Sequence, residues 1–285
     1  MNSVLPNHSD KPYGGAWAVE NKDVIKFLSE HKSQSNHRDF VNDYFKWMQV
    51  PHRINSIDKF NSLSYCNGST EAFDKFYHKH MHRKLRFLRG EYLYHQIMGK
   101  RYFKESTYID DDILITQDDV VVMSVPFSDT GSVPKNYSKI MEACESLKVP
   151  VLLDMAYINL AIDLQINVDY QCIDTITTSL SKVFPVAYSR IGMRMQRENL
   201  DDTLDAYEQN SYLNTHSVNI GHALIKKYDA DYSYHKYRPQ QLSFCNMLDL
   251  TPSDSFIFGI DYKNKSQEYN RGGPSNRFCF AKHFQ

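Results

Sequence analysis

The 285-residue sequence predicts an α/β fold, an α-β-α sandwich with a mainly parallel sheet, and a small α+β domain beside it. Apolar runs at 119–125, 149–157 and 174–181 are rich in β-branched residues, which is typical of parallel strands buried on both faces. Between the first two runs, residues 135–147 place apolar side chains at the spacing of an amphipathic helix. This β-α-β order implies right-handed crossovers and therefore a parallel sheet.

The elements outside this sheet are less regular in sequence. Residues 196–230 are predicted to be helical, and residues 243–262 to mix short strands with turns. Residues 271–281 predict a turn rich in glycine and proline, followed by a strand. We therefore predict a large domain at 41–205, and a small domain with an N-terminal arm at 1–40 and 206–285.

The composition argues against several classes of protein. With a formal net charge of −1, the chain has no strong field to attract nucleic acid or an anionic membrane. No apolar run approaches the roughly 20 residues that span a bilayer, and the N-terminus lacks the apolar core of a signal peptide. The five cysteines lack metal-ligand spacing, which predicts free thiols in the cytoplasm and no bound metal. The acidic runs at 110–112 and 118–119 are interpreted as solvated loops.

Polar residues follow each predicted strand at its carboxyl end. Ser128, Asp154 and Lys182 should therefore converge on one rim, where ligands gather in parallel sheets. A lysine at the end of a buried strand loses hydration, which lowers its pKa and makes it a nucleophile that can form a Schiff base; the alternative is a surface lysine in a loop. The Asp154 carboxylate, directly after an apolar strand, needs a polar partner. That partner is either a cationic ring nitrogen of a ligand or a structural group, in which case Asp154 caps a helix or forms an ion pair.

Two glycine-containing segments are candidate binding elements. In NGSTEAF, Gly68 allows close backbone approach, and the hydroxyls of Ser69 and Thr70 at a helix start attract phosphate. The alternative for this segment is a plain capping box. Gly15, in KPYGGAW, is either a point of backbone approach to a substrate or part of a simple turn.

Several of these motifs occur together in one order. They are GSTEA at 68–72, EYLYH at 91–95 with an aromatic ring at Tyr92, VPFSDTG at 125–131, DMAY at 154–157, SLSK at 179–182 with Arg190 in YSRIG, and NRFCFA at 276–281 with Arg277. In this order they resemble the fold type I enzymes that depend on pyridoxal 5′-phosphate (PLP), and most closely the class I and II aminotransferases. The resemblance runs from about residue 65 to 195 and is thin in the final third of the chain.

The resemblance implies PLP as the cofactor and a role for each matching residue. Lys182 would form the Schiff base and move the substrate proton, Asp154 would keep the ring nitrogen protonated, and Tyr157 would bond the ring oxygen. Arg277 would bind the α-carboxylate of the substrate, and Gly15 would approach it. The implied cofactor-binding residues are Gly68, Ser69, Thr70, Tyr92, Ser128, Asp154, Tyr157, Ser179, Lys182 and Arg190.

The sequence departs from the family in two respects. VPFSDTG stands where the family has Asn-Pro-x-Asn-Pro-Thr-Gly, so Ser128 replaces an asparagine and Asp129 replaces the proline after it. Asp129 either points away from the cofactor or binds a cationic group of the substrate. The chain is also shorter than is typical of the family, which predicts a trimmed C-terminal lobe.

The activity implied by the resemblance is that of an aminotransferase, which moves an amino group between an amino acid and a 2-keto acid. One alternative is a lyase or decarboxylase of the same fold, which would use the same Lys182, Asp154 and Arg190. Another is a protein that binds PLP without turnover. Arg277 favours transamination because it retains the substrate carboxylate. The family also implies a homodimer.

Overall fold

The computed structural model describes residues 11–31 and 35–284 of the chain. The strands are β1 Arg53–Asn55, β2 Ser62–Asn67, β3 Lys84–Leu88, β4 Ser106–Ile109, β5 Asp119–Ser124, β6 Val151–Asp154, β7 Gln165–Asn167, β8 Ile173–Ser179, β9 Ile191–Gln196, β10 Thr251–Pro252, β11 Phe258–Asp261 and β12 Asn276–Cys279. The α-helices are α1 Lys22–Glu30, α2 His37–Gln49, α3 Ser69–His80, α4 Leu93–Tyr102, α5 Tyr137–Leu147, α6 Thr203–Asn210, α7 Thr215–Lys227 and α8 Tyr232–Met247.

The large sheet has seven strands in the order β2-β9-β8-β6-β5-β3-β4. Neighbouring strands are parallel from β8 through β6, β5 and β3 to β4. Strand β9 is the exception, because it runs antiparallel to both β8 and β2. The predicted mainly parallel sheet is therefore confirmed.

Helices cover both faces of this sheet. All six residues of β5 are buried, and their side chains alternate between two hydrophobic clusters. Val120 and Val122 pack with aromatic residues of α3 on one face. Val121 and Met123 share the other cluster with apolar residues of α2, α5 and α7. This alternation follows from the two-residue period of a strand, and it produces the predicted α-β-α sandwich.

The predicted elements of the sandwich agree with the structure. The three apolar runs form β5, β6 and β8, and the periodic segment between the first two runs forms α5. The helical prediction for 196–230 holds for α6 and α7 but not for its first residues, because β9 ends at Gln196.

A small antiparallel sheet, in the order β10-β11-β12, lies near the C-terminus. Helix α8 packs on β10 and β11, and its continuation to Met247 makes the prediction for 243–262 wrong at its start. The described part of the N-terminal arm reaches both sheets. The carbonyl of Tyr13 accepts a hydrogen bond from the amide of Cys279 at 2.9 Å, and the amide of Val19 donates to the carbonyl of Lys182 at 3.2 Å.

The division into two domains at residue 205 stays a prediction. Helix α7 lies beyond that residue, yet it packs against α2 and β9 of the large sheet. Residues 1–10, at the start of the predicted arm, lie outside the described residues. No helix in the described part of the chain is long and apolar enough to cross a membrane.

One acidic residue is placed differently from its prediction. Asp119, interpreted from the sequence as solvated loop, is the first residue of β5 and is only 1% exposed. Its carboxylate accepts a hydrogen bond from Arg86 at 3.0 Å, which explains how a charged residue is accommodated in a buried strand.

A buried ion-pair network joins β9 to α6. Arg194 is 1% exposed and donates hydrogen bonds to the carboxylates of Asp202 and Asp205, the latter at 2.9 Å. The same two acids form the capping box of α6. The network therefore fixes the start of α6 on the antiparallel strand of the sheet.

Arg194→Met should destabilise the protein by about 3–5 kcal/mol, because it leaves the buried carboxylate of Asp205 without its partner. Lys265→Met is the matched control, since Lys265 forms an exposed ion pair with Asp249 and its loss should leave the free energy of unfolding nearly unchanged. Urea unfolding measures both free energies. Equal losses in the two variants would show that the buried network does not stabilise the fold.

Candidate active site

A cavity opens at the carboxyl ends of β5, β6 and β8. Its empty volume is about 590 Å³, including its mouth to solvent, within the range of small-molecule sites. The lining residues are Ser69, Thr70, Tyr92, Ser124, Pro126, Ser128, Asp154, Ala156, Tyr157, Ser179, Ser181, Lys182, Ala187 and Arg190. The structure thus brings together every predicted cofactor-binding residue except Gly68, which lies directly behind Arg190.

Lys182 follows the end of β8 and is partly buried in this cavity. Its Nζ donates a hydrogen bond to the carbonyl oxygen of Ala16 at 2.6 Å. Burial, together with the positive charges of Arg277 and Arg190, lowers the pKa of Lys182 to about 8. A substantial fraction of this amine is therefore neutral, and nucleophilic, slightly above physiological pH.

Arg190 and the start of α3 form the second part of the site. The Arg190 guanidinium donates to Thr70 Oγ1 at 3.0 Å and to the carbonyl of Ala187 at 3.2 Å. Its backbone has φ 54°, and its carbonyl accepts a hydrogen bond from the Tyr65 hydroxyl at 2.9 Å. The first N–H groups of α3 and the Thr70 hydroxyl thus lie beside one guanidinium, an arrangement suited to a phosphate.

Ser179, the last residue of β8, faces the same part of the cavity. Its hydroxyl donates to the carbonyl of Ile191 at 3.0 Å and lies 2.8 Å from the hydroxyl of Ser181. Ser181 was not predicted as a site residue, although it stands beside Lys182 in sequence. The two hydroxyls add polar groups to the rim next to Arg190.

Asp154 ends β6 and faces a histidine that the sequence analysis missed. One of its carboxylate oxygens accepts a hydrogen bond from the Ala156 amide at 2.9 Å, and the other lies 3.5 Å from Nε2 of His95. His95 is fully buried, and its Nδ1 bonds the hydroxyl of Tyr77. His95 follows Tyr92 by three residues at the start of α4, so helical spacing could have identified it.

A second missed residue, Glu91, organises the turn after β5. The Glu91 carboxylate accepts hydrogen bonds from the Ser124 hydroxyl, from the Ser124 amide at 2.8 Å and from the Tyr92 amide at 2.7 Å. Burial raises the pKa of Glu91. Ser124 in turn accepts a hydrogen bond from the amide of Ser128 at 2.8 Å. This chain of hydrogen bonds places Ser128 in the cavity with its buried Oγ unbonded.

Asp129 is turned away from the cavity and is fully buried. One of its oxygens accepts a hydrogen bond from the Ser275 hydroxyl at 3.0 Å. Its side chain fits between Gly90 and Gly273, where any added Cβ atom would lie within 2.8 Å of it. Burial raises the pKa of Asp129 to about 6. The structure thus supports the first of the two interpretations, in which Asp129 points away from the cofactor.

Arg277 and Gly15 are brought together beside the cavity but do not line it. The Arg277 guanidinium donates to the carbonyl of Gly15 at 2.9 Å and to the carbonyl of Ser128. It also lies over the ring of Phe258, with 4.4 Å between Cζ and the ring centroid. The predicted substrate arginine is therefore buried next to the residues that line the cavity.

The residues present fit PLP. The buried Ser128 hydroxyl has no partner among the described residues, which suits a ligand oxygen. A Cβ atom on Gly68 would lie 2.2 Å from Nη2 of Arg190, so only glycine leaves room for the guanidinium beside the helix start. One cavity thus holds a carboxylate that suits a cationic ring, an amine that suits an aldehyde and a guanidinium that suits a phosphate.

The fold is similar to that of several solved enzymes at low sequence identity. A histidinol-phosphate aminotransferase from Clostridium acetobutylicum has 13% identity and a TM-score of 0.60, with 94% of this chain and 93% of that chain covered. An L-threonine-O-3-phosphate decarboxylase from Porphyromonas gingivalis has 12% identity and a TM-score of 0.64, with 93% and 95% covered. A protein described as a PLP-dependent β-cystathionase from Corynebacterium diphtheriae has 13% identity and a TM-score of 0.64, with 95% and 90% covered.

The sequence itself identifies the family. No curated protein matches the chain significantly. The family model described as aminotransferase class I and II matches residues 77–243, more than half of the chain. The protein therefore belongs to the class I and II aminotransferase family of fold type I enzymes, and its cofactor is PLP.

Proposed function

We propose that this protein is an aminotransferase that moves an amino group between an amino acid and a 2-keto acid, with Lys182 as the residue that bonds the cofactor. The observation that carries the proposal is the convergence of Lys182, Asp154 and Arg190 on one cavity, with Arg277 buried beside it. The same three cavity residues would also serve a lyase or decarboxylase. Arg277 supports transamination because it would retain the substrate carboxylate.

When bound, PLP supplies an electron sink that makes the Cα–H bond of an amino acid acidic. The protein's part is to hold charges and move a proton. Asp154, fixed by the Ala156 amide, presents a carboxylate that stabilises a positive charge on a ring nitrogen. Burial raises the pKa of Tyr157, so its hydroxyl stays protonated and donates hydrogen bonds.

Lys182 is the group suited to carry the proton. Because its pKa is lowered to about 8, its Nζ can accept a proton near neutral pH and return it at a neighbouring atom. A protein that only held PLP would gain little from a buried amine, because burying a basic group without an ion pair is costly. The buried Lys182 thus supports turnover over passive binding.

The assembly and location of the protein belong to the same proposal. We propose a homodimer, supported by Tyr188, whose side chain is 97% exposed on the loop that carries Lys182 and Arg190. Light scattering tests this assignment, and a monomer would contradict it. We also propose a cytoplasmic location, supported by five cysteines that are free and buried in the described residues.

The test of transamination is a single-turnover reaction with the PLP-loaded protein and a panel of amino acids. We expect at least one amino acid to change the visible absorption band of the bound cofactor. Mass spectrometry should then detect the 2-keto acid of that amino acid, in an amount equal to the amount of PLP-loaded protein. Release of CO₂, or loss of a side-chain group, would indicate a decarboxylase or lyase instead. If no amino acid changes the absorption band of the cofactor, the result would contradict an enzymatic role. The Lys182→Ala variant is the inactive control.

The reactivity of Lys182 should depend on pH in a way set by its burial. Below about pH 8 the amine is protonated and unreactive, and above it the neutral form dominates. At pH 8 its neutral fraction should exceed that of an ordinary lysine, with a pKa of 10.5, about a hundredfold. Reductive methylation of the cofactor-free protein, followed by mass spectrometry of the Lys182 peptide, measures this profile. An inflection near pH 10 would contradict it.

A further inference from the structure

Resting on the proposed function, we propose that Arg271 forms a second anion-binding subsite and that the substrate is an amino acid with an anionic side chain. The shared chemistry is a side-chain carboxylate or phosphate. The observation is an unpaired guanidinium beside Arg277, on a turn that the rest of the structure holds in place.

Arg271 has no partner of its own within residues 11–31 and 35–284. Its guanidinium makes no hydrogen bond or ion pair there, and its buried Nε is unbonded. Burial and the nearby charge of Arg277 lower the pKa of Arg271 to about 10, so the group still carries its charge at neutral pH. A partly buried charge without a counter-ion costs free energy, and a ligand anion would offset that cost.

The turn that carries Arg271 lies next to the active site, because Gly273 packs against Asp129 and Asp129 adjoins the cavity-lining Ser128. Arg271 interacts electrostatically with Tyr157 and Tyr92, which both line the cavity, and with Asp129 and Arg277. The Asp129 carboxylate accepts a hydrogen bond from Ser275 and forms no ion pair with Arg271.

The turn that carries Arg271 is rigidly built. The Asn270 side chain donates to the carbonyls of Gly273 at 3.1 Å and Ser275 at 3.2 Å, and it accepts a hydrogen bond from the Gly272 amide at 2.8 Å. Gly273 packs against Asp129 so closely that a Cβ atom would lie 2.3 Å from its carboxylate. This explains the aspartate at the position of the family proline, because Asp129 anchors the turn and so positions Arg271 in advance of binding.

Two guanidinium groups at one site call for two anionic groups. Arg277 is the residue predicted to bind the α-carboxylate, and two backbone carbonyls already hold it in position. A single carboxylate on Arg277 would leave the charge of Arg271 uncompensated. A charged hydrogen bond of this kind is among the stronger interactions available to a ligand. A side-chain carboxylate or phosphate would neutralise the second guanidinium.

The subsite is tested by calorimetric titration of the PLP-loaded protein with unreactive anions. Succinate carries two carboxylates, 3-phosphonopropionate carries a carboxylate and a phosphonate, and butyrate carries one carboxylate. We expect at least one of the two dianions to bind about tenfold or more tightly than butyrate. The tighter of the two identifies the side-chain group as carboxylate or phosphate.

Arg271→Gln should reduce the ratio of dianion to butyrate affinity to about twofold or less, with butyrate affinity unchanged. Lys263→Gln is the control, because it removes an exposed positive charge from the same segment, where Lys263 pairs with Asp249. If Arg271→Gln does not fold, Arg271→Lys replaces it, and the ratio must still fall at least about threefold, since lysine cannot form the bidentate pair.

Two results would overturn the subsite. One is a wild-type protein that binds butyrate as tightly as both dianions. The other is an Arg271→Gln variant that loses all three affinities equally, which would assign Arg271 to the α-carboxylate. A protein that prefers dianions through Arg271 but transfers no amino group would contradict the proposed function and leave the subsite standing. Transamination of neutral amino acids without any preference for dianions would contradict the subsite and leave the proposed function standing.

Discussion

The active site depends on an excess of positive charge without ion pairs at the carboxyl edge of the sheet. Lys182 and Arg190 line the cavity, and Arg277 lies beside it. Neither these three nor Arg271, on the neighbouring turn, forms an ion pair within the described residues. The nearby acids are engaged elsewhere, since Asp154 faces His95, Glu91 bonds Ser124 and Asp129 bonds Ser275. Unpaired charges of this kind are costly to bury unless anions neutralise them. PLP brings a phosphate, and an amino acid brings its carboxylate.

The fold makes this concentration of charge possible. In a parallel sheet the carboxyl ends of the strands lie along one edge, so the residues after β5, β6 and β8 become neighbours although they are far apart in sequence. Networks behind the cavity hold these loops. Glu91 and Ser124 fix the backbone at Ser128, and the Ser128 carbonyl accepts a hydrogen bond from Arg277. These contacts hold the Ser128 hydroxyl in the cavity.

Most of the fold and the centre of the site could be predicted from the sequence. Asp154 and Lys182 stand at the carboxyl ends of buried strands, and this local pattern predicted their placement on one rim. Arg190 directly precedes β9, and it was identified only through the family resemblance. Helix α8 could not be predicted in the same way, because apolar residues do not follow a helical period along it and its sequence contains Pro239, which usually ends a helix.

The residues that were missed act through tertiary contacts. Glu91 and His95 lie on either side of Tyr92, and Arg271 lies six residues before Arg277. Their neighbours in space are distant in sequence, so only the folded chain shows what each of them contacts. Asp119 was misassigned because its partner Arg86 is on a neighbouring strand. Asp129 could be recognised as a departure from the family, but its two glycine neighbours lie far away in sequence.

The central claim is that the cavity holds PLP through the Nζ of Lys182. Borohydride reduction of the PLP-loaded protein, followed by trypsin digestion and mass spectrometry, tests it most directly. The account predicts a phosphopyridoxyl group on Lys182, in an uncleaved peptide of residues 149–190, because trypsin does not cut after a modified lysine. A reduced protein with the group on another lysine, or one cleaved normally after Lys182, would contradict the account.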